Sequence, residues 1–109
     1  MLFRSADHLR RDALALAEAG AFALVLEAIP ATLGKIITDS LSIPTIGIGA
    51  GSCNGQVLVS EDLLGLTTGK PPKFVKRYAD LATTIKEAVT QFAEEVRSGA
   101  FPDNDYIYR

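Results

Sequence analysis

The chain has 109 residues, 48% of them hydrophobic, and a formal net charge of -2, which is typical of one soluble folded domain and excludes disordered and fibrous classes. Cys53 is the only cysteine, so the sequence excludes an intrachain disulfide and fits a reducing compartment. Because the basic residues are scattered and no apolar run approaches the ~20 residues that span a bilayer, we expect a cytoplasmic protein whose partners are small molecules or protein chains, with no nucleic acid or membrane.

The first predicted element is a helix. Ser5 is a favoured N-cap residue, apolar residues follow at helical spacing, and Gly20 suits the end of the helix. The apolar run over residues 21–26 comes next; it is too short for a helix but is typical of a parallel strand covered on both faces. This strand ends at Glu27.

A second helix and a second strand follow. Pro30 favours the start of a helix, which is predicted over residues 31–41. Gly34 lies inside this helix and weakens it by ~1 kcal/mol relative to alanine. The short apolar stretch over 45–49 then predicts a strand that runs into a loop.

The remaining residues contain one long predicted helix. Residues 56–66 form either a short helix or an irregular apolar segment, with a helix favoured in the second half, and residues 67–72 are predicted as a loop. An amphipathic helix follows, whose apolar stripe runs from Phe74 to Val96 and which ends at Gly99.

The predicted elements indicate an α/β fold in one domain, residues 1–109. Parallel strands joined by a helix form a βαβ unit, so the two strands should be neighbours. Two parallel strands leave two unpaired edges, and strands of this kind are normally covered on both faces. We therefore expect these elements to belong to a larger sheet or closed barrel that a longer chain or another subunit supplies.

Glu27 is the most informative side chain for function. It is a carboxylate at the carboxyl end of a predicted parallel strand, which is the end where barrels and open α/β sheets carry their active sites. A carboxylate in that position can act as a general base. The alternative is a strand-end glutamate that pairs with a neighbouring cation or reaches water.

A glycine-rich stretch, Gly47 to Gly51, ends the second strand. It does not match the dinucleotide fingerprint, because Ser52 stands where the third glycine or alanine is needed. Glycines here let a ligand or a neighbouring strand approach the backbone, and a tight turn explains them equally well. Cys53 has no histidine near it in sequence, since His8 lies on the first helix, so a cysteine nucleophile is not predicted.

Several short stretches follow one another in a recognisable order. They are Val25-Leu26-Glu27 with Pro30, Ile43 to Gly51, Gly55 to Val59, Asp62 to Leu66, and Pro72 to Lys76. Together they resemble the C-terminal region of the ketopantoate hydroxymethyltransferase family, and the resemblance covers nearly the whole chain.

This resemblance implies a particular architecture. The chain would be the C-terminal portion of a (β/α)8 TIM barrel of the phosphoenolpyruvate mutase-like group, with about two parallel strands and flanking helices. It would run from helix 6 through the C-terminal helices, with residues 22–27 as strand seven and 45–49 as strand eight, and without the N-terminal strands. The family forms large homo-oligomers of the decamer type.

The resemblance also implies a reaction in pantothenate and coenzyme A biosynthesis. The family transfers a hydroxymethyl group from 5,10-methylenetetrahydrofolate to 3-methyl-2-oxobutanoate, which gives ketopantoate. Glu27 matches the family's general base, which removes a proton beside the ketone to form an enolate that Mg²⁺ stabilises. Gly49, Ala50 and Gly51 would line the substrate site. The metal ligands, and the lysine and histidine that hold the substrate, lie in earlier strands, so no metal ligand is expected in this chain.

Some features depart from the family pattern. Ala28 stands where a cysteine is frequent, and Asn54 and Glu61 replace the more usual Asp and His. The missing strands predict that the 109-residue chain is inactive on its own. One alternative is a non-catalytic module for oligomerisation or for interaction with a full-length barrel, and a third hypothesis is a phosphate or nucleotide binder that uses the glycine loop.

Overall fold

A computed structural model describes residues 2–109, with side chains from Ser5 onward. The elements are α1 (Leu2–Glu18), β1 (Leu24–Glu27), α2 (Ala31–Ser40), β2 (Thr45–Ile48), β3 (Gly55–Gln56), α3 (Ser60–Leu63), α4 (Leu81–Ser98) and a short 3₁₀ helix (Asn104–Tyr106). They form two compact units. The first contains the residues up to Val59 together with Pro72–Val75, and the second contains Ser60–Pro71 and Lys76–Arg109.

The first unit is built on a parallel sheet with the strand order β1-β2-β3. Leu24 pairs with Thr45 and Glu27 with Ile48, so β1 and β2 are in parallel register over their full lengths. The predicted parallel neighbours are confirmed, although β1 begins at Leu24 and not at residue 22. The sequence did not predict β3, which adds only Gly55–Gln56 to the far side of β2.

Helices α1 and α2 cover one face of this sheet. The buried core joins α1, β1, α2 and the loop after β2 through a small set of side chains: Ala13, Leu26, Leu33, Ile37 and Ala50. All of these side chains are at most 8% exposed. Because apolar residues of both helices and of β1 meet here, the helix-covered face of the sheet carries the hydrophobic core of the unit.

Gly34 in α2 has a packing role that the sequence did not reveal. A Cβ atom built on Gly34 would overlap the carbonyl oxygen of Ala50 and lie 3.2 Å from its carbonyl carbon. Ala50 is fully buried, so this backbone has little room to retreat. A glycine is therefore needed at position 34 for α2 to approach the loop after β2.

A chain of polar contacts links α2, β2 and the following loop. The Thr38 hydroxyl donates to the carbonyl oxygen of Gly34 at 2.7 Å and lies 2.7 Å from the hydroxyl oxygen of Thr45. Either hydroxyl can donate in this contact, and the Thr45 hydroxyl also lies 3.3 Å from Asn54 Oδ1, which can accept its proton. The Thr45 backbone N–H donates to Asn54 Oδ1 at 2.9 Å, and the Asn54 N–H donates to Thr45 Oγ1 at 3.4 Å. Thr45 is fully buried, so these partners satisfy groups that water cannot reach.

The helix ends test several predictions. The N-cap prediction for Ser5 is wrong, because α1 already begins at Leu2. Helix α1 ends at Glu18, which confirms the predicted end at Gly20 to within two residues, and Gly20 itself has a φ of 106°. Helix α2 was predicted to within one residue at its C-terminal end, and the helix predicted in the second half of 56–66 is present as α3.

The long amphipathic helix begins later than the sequence predicted. It starts at Leu81 and not near Phe74, because Asp80 caps its first turn: the Thr83 N–H donates to Asp80 Oδ1 at 3.4 Å and the Thr83 hydroxyl to Oδ2 at 2.8 Å. The predicted end at Gly99 is confirmed, with a left-handed φ of 83°.

The second unit is held by backbone contacts between α3 and the segment that leads into α4. The N–H of Tyr78 donates to the carbonyl oxygen of Leu63 at 2.8 Å, and the N–H of Leu81 to that of Leu64 at 3.1 Å. Arg77 donates to the carbonyl oxygens of Thr67 and Gly69 at 3.0 and 2.7 Å, which closes the loop between them.

No helix within residues 2–109 is long and apolar enough to cross a membrane.

Candidate active site

Glu27 is the last residue of β1 and lies opposite Ile48 in β2. Successive side chains of a strand point to opposite faces of the sheet. Since Leu26 belongs to the core under α1 and α2, Val25 and Glu27 point to the other face. Their register partners Ile46 and Ile48 share that face and are half-buried, whereas Val25 is 60% exposed. Glu27 is therefore an exposed carboxylate beside an apolar surface.

The backbone turns sharply directly after Glu27. Ala28 has a φ of 51°, a left-handed conformation that costs a residue with a Cβ about 1–2 kcal/mol. The N–H of Ala28 donates to the carbonyl oxygen of Ile48 at 2.9 Å, and that of Ile29 to Gly49 at 3.1 Å. These two bonds extend the β1–β2 ladder past the end of β1 and hold Glu27 next to the start of the glycine loop.

The glycine loop, residues Gly49–Gly51, leaves the same end of the sheet. Gly49 and Gly51 have φ values of 69° and 74°, so both use backbone conformations that favour glycine. Ala50 lies between them and is fully buried, so neither its side chain nor its backbone is open to a ligand. The structure thus places Glu27 and the glycine loop at the carboxyl ends of neighbouring parallel strands.

Two residues that the sequence did not single out support this loop. The ring of Phe74 lies over Gly49, where a Cβ would be 2.7 Å from Phe74 Cδ2. The Gln56 side chain donates to the carbonyl oxygen of Gly51 at 2.7 Å. Phe74 was predicted on the stripe of the long helix, and no spacing in the sequence connects it with Gly49, so only the folded chain reveals the contact.

Cys53 and His8 lie on different elements. Cys53 is half-buried in the loop before β3, with Sγ 3.9 Å from the carbonyl oxygen of Ala50. His8 is exposed on α1, where its Nε2 lies 3.4 Å from Asp12. Neither residue contacts Glu27 in the hydrogen bonds of the described side chains.

The metal that the resemblance implies does not fit the residues described here. Between Ser5 and Arg109 no group of three or more His, Cys, Asp or Glu side chains could hold a metal ion. Carboxylate oxygens are the protein ligands that Mg²⁺ prefers. Glu27 alone does not make such a site.

Comparisons with known proteins agree with the resemblance seen in the sequence. The family model of ketopantoate hydroxymethyltransferase matches residues 3–104. Curated 3-methyl-2-oxobutanoate hydroxymethyltransferases are similar over nearly the whole chain. The protein from Pelobacter propionicus is 58% identical over 104 residues, which are 94% of this chain and 39% of the relative.

Two further relatives show the same pattern. The protein from Prosthecochloris aestuarii is 57% identical over 106 residues, 96% of this chain and 38% of its own length. The protein from Mycobacterium ulcerans is 51% identical over 105 residues, 95% of this chain and 35% of its own. The 109 residues thus span less than half the length of these relatives. On the match over residues 3–104, the chain belongs to the ketopantoate hydroxymethyltransferase family.

Proposed function

We propose that this chain supplies the general base of a ketopantoate hydroxymethyltransferase, and that the base is Glu27. The reaction transfers a hydroxymethyl group from 5,10-methylenetetrahydrofolate to 3-methyl-2-oxobutanoate and serves pantothenate biosynthesis in the cytoplasm. The observation that carries the proposal is the position of Glu27 at the carboxyl end of β1, beside Ile48 and the glycine loop, in a chain that belongs to this family.

The proposed chemistry of Glu27 is a single proton transfer. Its carboxylate removes the proton from C3 of 3-methyl-2-oxobutanoate, and the electrons of the broken C–H bond form an enolate with the neighbouring ketone. The enolate carbon is then the nucleophile toward the one-carbon unit of the folate. Val25, Ile46 and Ile48 give the same sheet face an apolar surface on which the branched carbon chain of the keto acid could pack.

The glycine loop suits a role in binding the acid and ketone oxygens. Phe74 and Ala31 fill the space that side chains at Gly49 and Gly51 would occupy, so a substrate would contact the loop only at the exposed backbone of Gly51 and the half-buried backbone of Gly49. Ala50 is fully buried, so its proposed role is to hold the loop in place and not to contact the substrate. These assignments follow the family resemblance and the common location of the loop and Glu27.

The rest of the proposed machinery lies outside this chain. The related 3-methyl-2-oxobutanoate hydroxymethyltransferases are longer than the part that matches this chain. The matched part is 39% of the Pelobacter propionicus protein. We propose that the outside part completes a (β/α)8 barrel, supplies the Mg²⁺ ligands and assembles into a homo-oligomer. On this proposal the 109 residues alone are inactive.

Proton exchange at C3 tests the proposed base. The chain is co-expressed with the unmatched part of the Pelobacter propionicus relative, and ¹H NMR follows the C3 proton of 3-methyl-2-oxobutanoate in D₂O with Mg²⁺. We expect exchange that falls by about 10²–10⁴-fold in Glu27→Gln. Glu18→Gln, which changes an exposed glutamate on α1, is the matched control and should leave the rate unchanged. Exchange that survives in Glu27→Gln would sink the proposal.

A second candidate function is a non-catalytic interaction module, and α4 favours it. Ile85, Val89, Phe92 and Val96 lie on one face of this helix and are 49–61% exposed. An apolar stripe of this kind is typical of an interaction surface. Sedimentation of the chain with Val89→Asp tests this candidate, and Thr90→Asp on the neighbouring face is its control. If both variants sediment as the wild type does, the stripe is not an assembly surface.

A further inference from the structure

Gln56 reaches the glycine loop from the helix-covered side of the sheet. It lies in β3 and pairs in parallel register with Gly47 of β2, which in turn pairs with Leu26 of β1. Side chains at paired positions point to the same face of a sheet, and Leu26 belongs to the core under α1 and α2. Gln56 therefore points away from the face that carries Glu27, so it acts on a substrate bound there only through another group.

Gly47 leaves the space that the Gln56 side chain needs. Gly47 is buried, and a Cβ built on it would lie 2.9 Å from Cys53 Sγ and 3.2 Å from Gln56 Nε2. A methyl group at position 47 would therefore press against both side chains. With glycine there, Gln56 Nε2 donates to the carbonyl oxygen of Gly51 at 2.7 Å. The first glycine of the 47–51 stretch thus has a packing role, which is to give Gln56 access to the loop.

The bond from Gln56 fixes the exposed end of the glycine loop. Gly49 is held by the strand ladder, since its carbonyl oxygen accepts a backbone N–H from the turn after β1 at 3.1 Å, and Ala50 is fully buried. Gly51 comes next and is exposed. It lies against the start of α2, where a Cβ at position 51 would be 2.6 Å from Ala31 Cβ. The carbonyl oxygen of Gly51 is therefore held from the β3 side while its Cα rests on α2.

We propose that Gln56 is a positioning residue for the keto acid. By holding the Gly51 carbonyl oxygen, it fixes the exposed backbone that the acid and ketone oxygens of the substrate approach. It thus acts on substrate binding and not on proton removal by Glu27. The inference rests on the proposed function for the identity of the substrate.

The expected effect of Gln56 is much smaller than that of a general base. A neutral hydrogen bond changes an equilibrium constant by about two- to tenfold. Loss of a general base lowers a rate by about 10²–10⁴-fold. The two roles therefore differ in magnitude as well as in the kinetic constant that each one changes.

Two substitutions remove the hydrogen bond and keep the length of the side chain. Gln56→Met has no donor, and Gln56→Glu offers a carboxylate that accepts but does not donate. Gln91→Met is the matched control, because Gln91 is also an exposed glutamine that donates to a neighbouring side chain, Glu95 Oε2 at 2.8 Å, but it lies on α4. Circular dichroism verifies that all three variants fold.

NMR relaxation of ¹⁵N in the 109-residue chain measures the order of the loop without substrate. For the wild type and Gln91→Met we expect order parameters of about 0.85 at Gly51 and Ser52, the value of a rigid backbone. In both Gln56 variants they should fall toward about 0.6, while those of β1 and β2 stay the same. Equal order parameters in the wild type and both Gln56 variants would overturn the inference.

The kinetics of C3 proton exchange measure the consequence for the substrate. In a single hybrid chain, these residues replace the matched part of the Pelobacter propionicus relative, to which they are 58% identical over 104 residues. In both Gln56 variants we expect a KM for 3-methyl-2-oxobutanoate that is about two- to tenfold higher and a kcat within about twofold of the wild type. Gln91→Met should change neither constant. An unchanged KM, with or without a lower kcat, would refute the positioning role.

The two measurements separate a failure of this inference from a failure of the proposed function. If the wild-type hybrid does not exchange the C3 proton, the proposed function fails, and the order parameters still decide whether Gln56 holds the loop. If the hybrid exchanges the proton and the Gln56 variants keep the wild-type KM, the proposed function stands and the inference is wrong.

Discussion

Replacing Gly34 by alanine sets two effects against each other. In an exposed helix interior the change stabilises by about 1 kcal/mol, because glycine is the poorer helix former. Here the new Cβ overlaps the carbonyl oxygen of Ala50, a buried backbone atom with no room to yield. Overpacking costs about 1–3 kcal/mol. The cost for Gly34→Ala lies at the upper end of this range, because the new Cβ meets backbone and not a flexible side chain. We expect a net loss of about 2 kcal/mol in the free energy of unfolding.

Urea denaturation followed by circular dichroism measures this loss. Thr32→Ala is the control, because Thr32 is exposed on the same helix and the change raises helix propensity without the overlap. We expect Thr32→Ala to gain a few tenths of a kcal/mol while Gly34→Ala loses stability. If Gly34→Ala unfolds at the same or a higher urea concentration than the wild type, the close approach of α2 to Ala50 does not constrain the fold.

Other substitutions test the remaining contacts. Asn54→Asp keeps the oxygen that accepts from the Thr45 N–H, so its free energy of unfolding should stay within about 0.5 kcal/mol of the wild type. Asn54→Ala removes that oxygen and should lose about 1–3 kcal/mol. Equal urea midpoints for the two variants would contradict this. Arg77→Ala removes the donor to two carbonyl oxygens, so amide hydrogen exchange over residues 67–69 should become faster. Unchanged exchange would show that the loop does not need Arg77 for its stability. Glycine tolerates the positive φ at position 28, so Ala28→Gly should raise the free energy of unfolding by up to about 1 kcal/mol, whereas Ala28→Val should lower it. A glycine variant that is less stable than the wild type would refute backbone strain at this position.

The central βαβ unit could be predicted because several local signals agree there. The apolar runs at 21–26 and 45–49 are too short for helices, and the segment between them has helical spacing after Pro30. Because a helix that joins two parallel strands of one sheet allows few topologies, the pairing of the two strands could be predicted as well. The location of Glu27 at the carboxyl end of β1 could be predicted for the same reason, because it needs only the end of a strand.

The other elements depend on contacts that have no local signal. Strand β3 consists of two residues, and its pairing with β2 is extended only by the N–H of Val57, which donates to Gly47 at 3.0 Å. Ser5 is a good N-cap residue but is also tolerated inside a helix, so its hydroxyl did not fix the start of α1. At the other end, the apolar spacing continues back to Phe74, yet Asp80 caps the helix and Phe74 packs on Gly49 instead.

The two faces of the sheet differ in a way that links folding to the proposed chemistry. The face toward α1 and α2 already has its core, centred on Leu26 and Ile37. The opposite face carries Val25 and Glu27 and is open. On the proposed function, the part of the family fold outside this chain covers that open face, because the helix face offers it no vacant core. That part would then exclude water from around Glu27, so completing the fold and forming the active site would be one event.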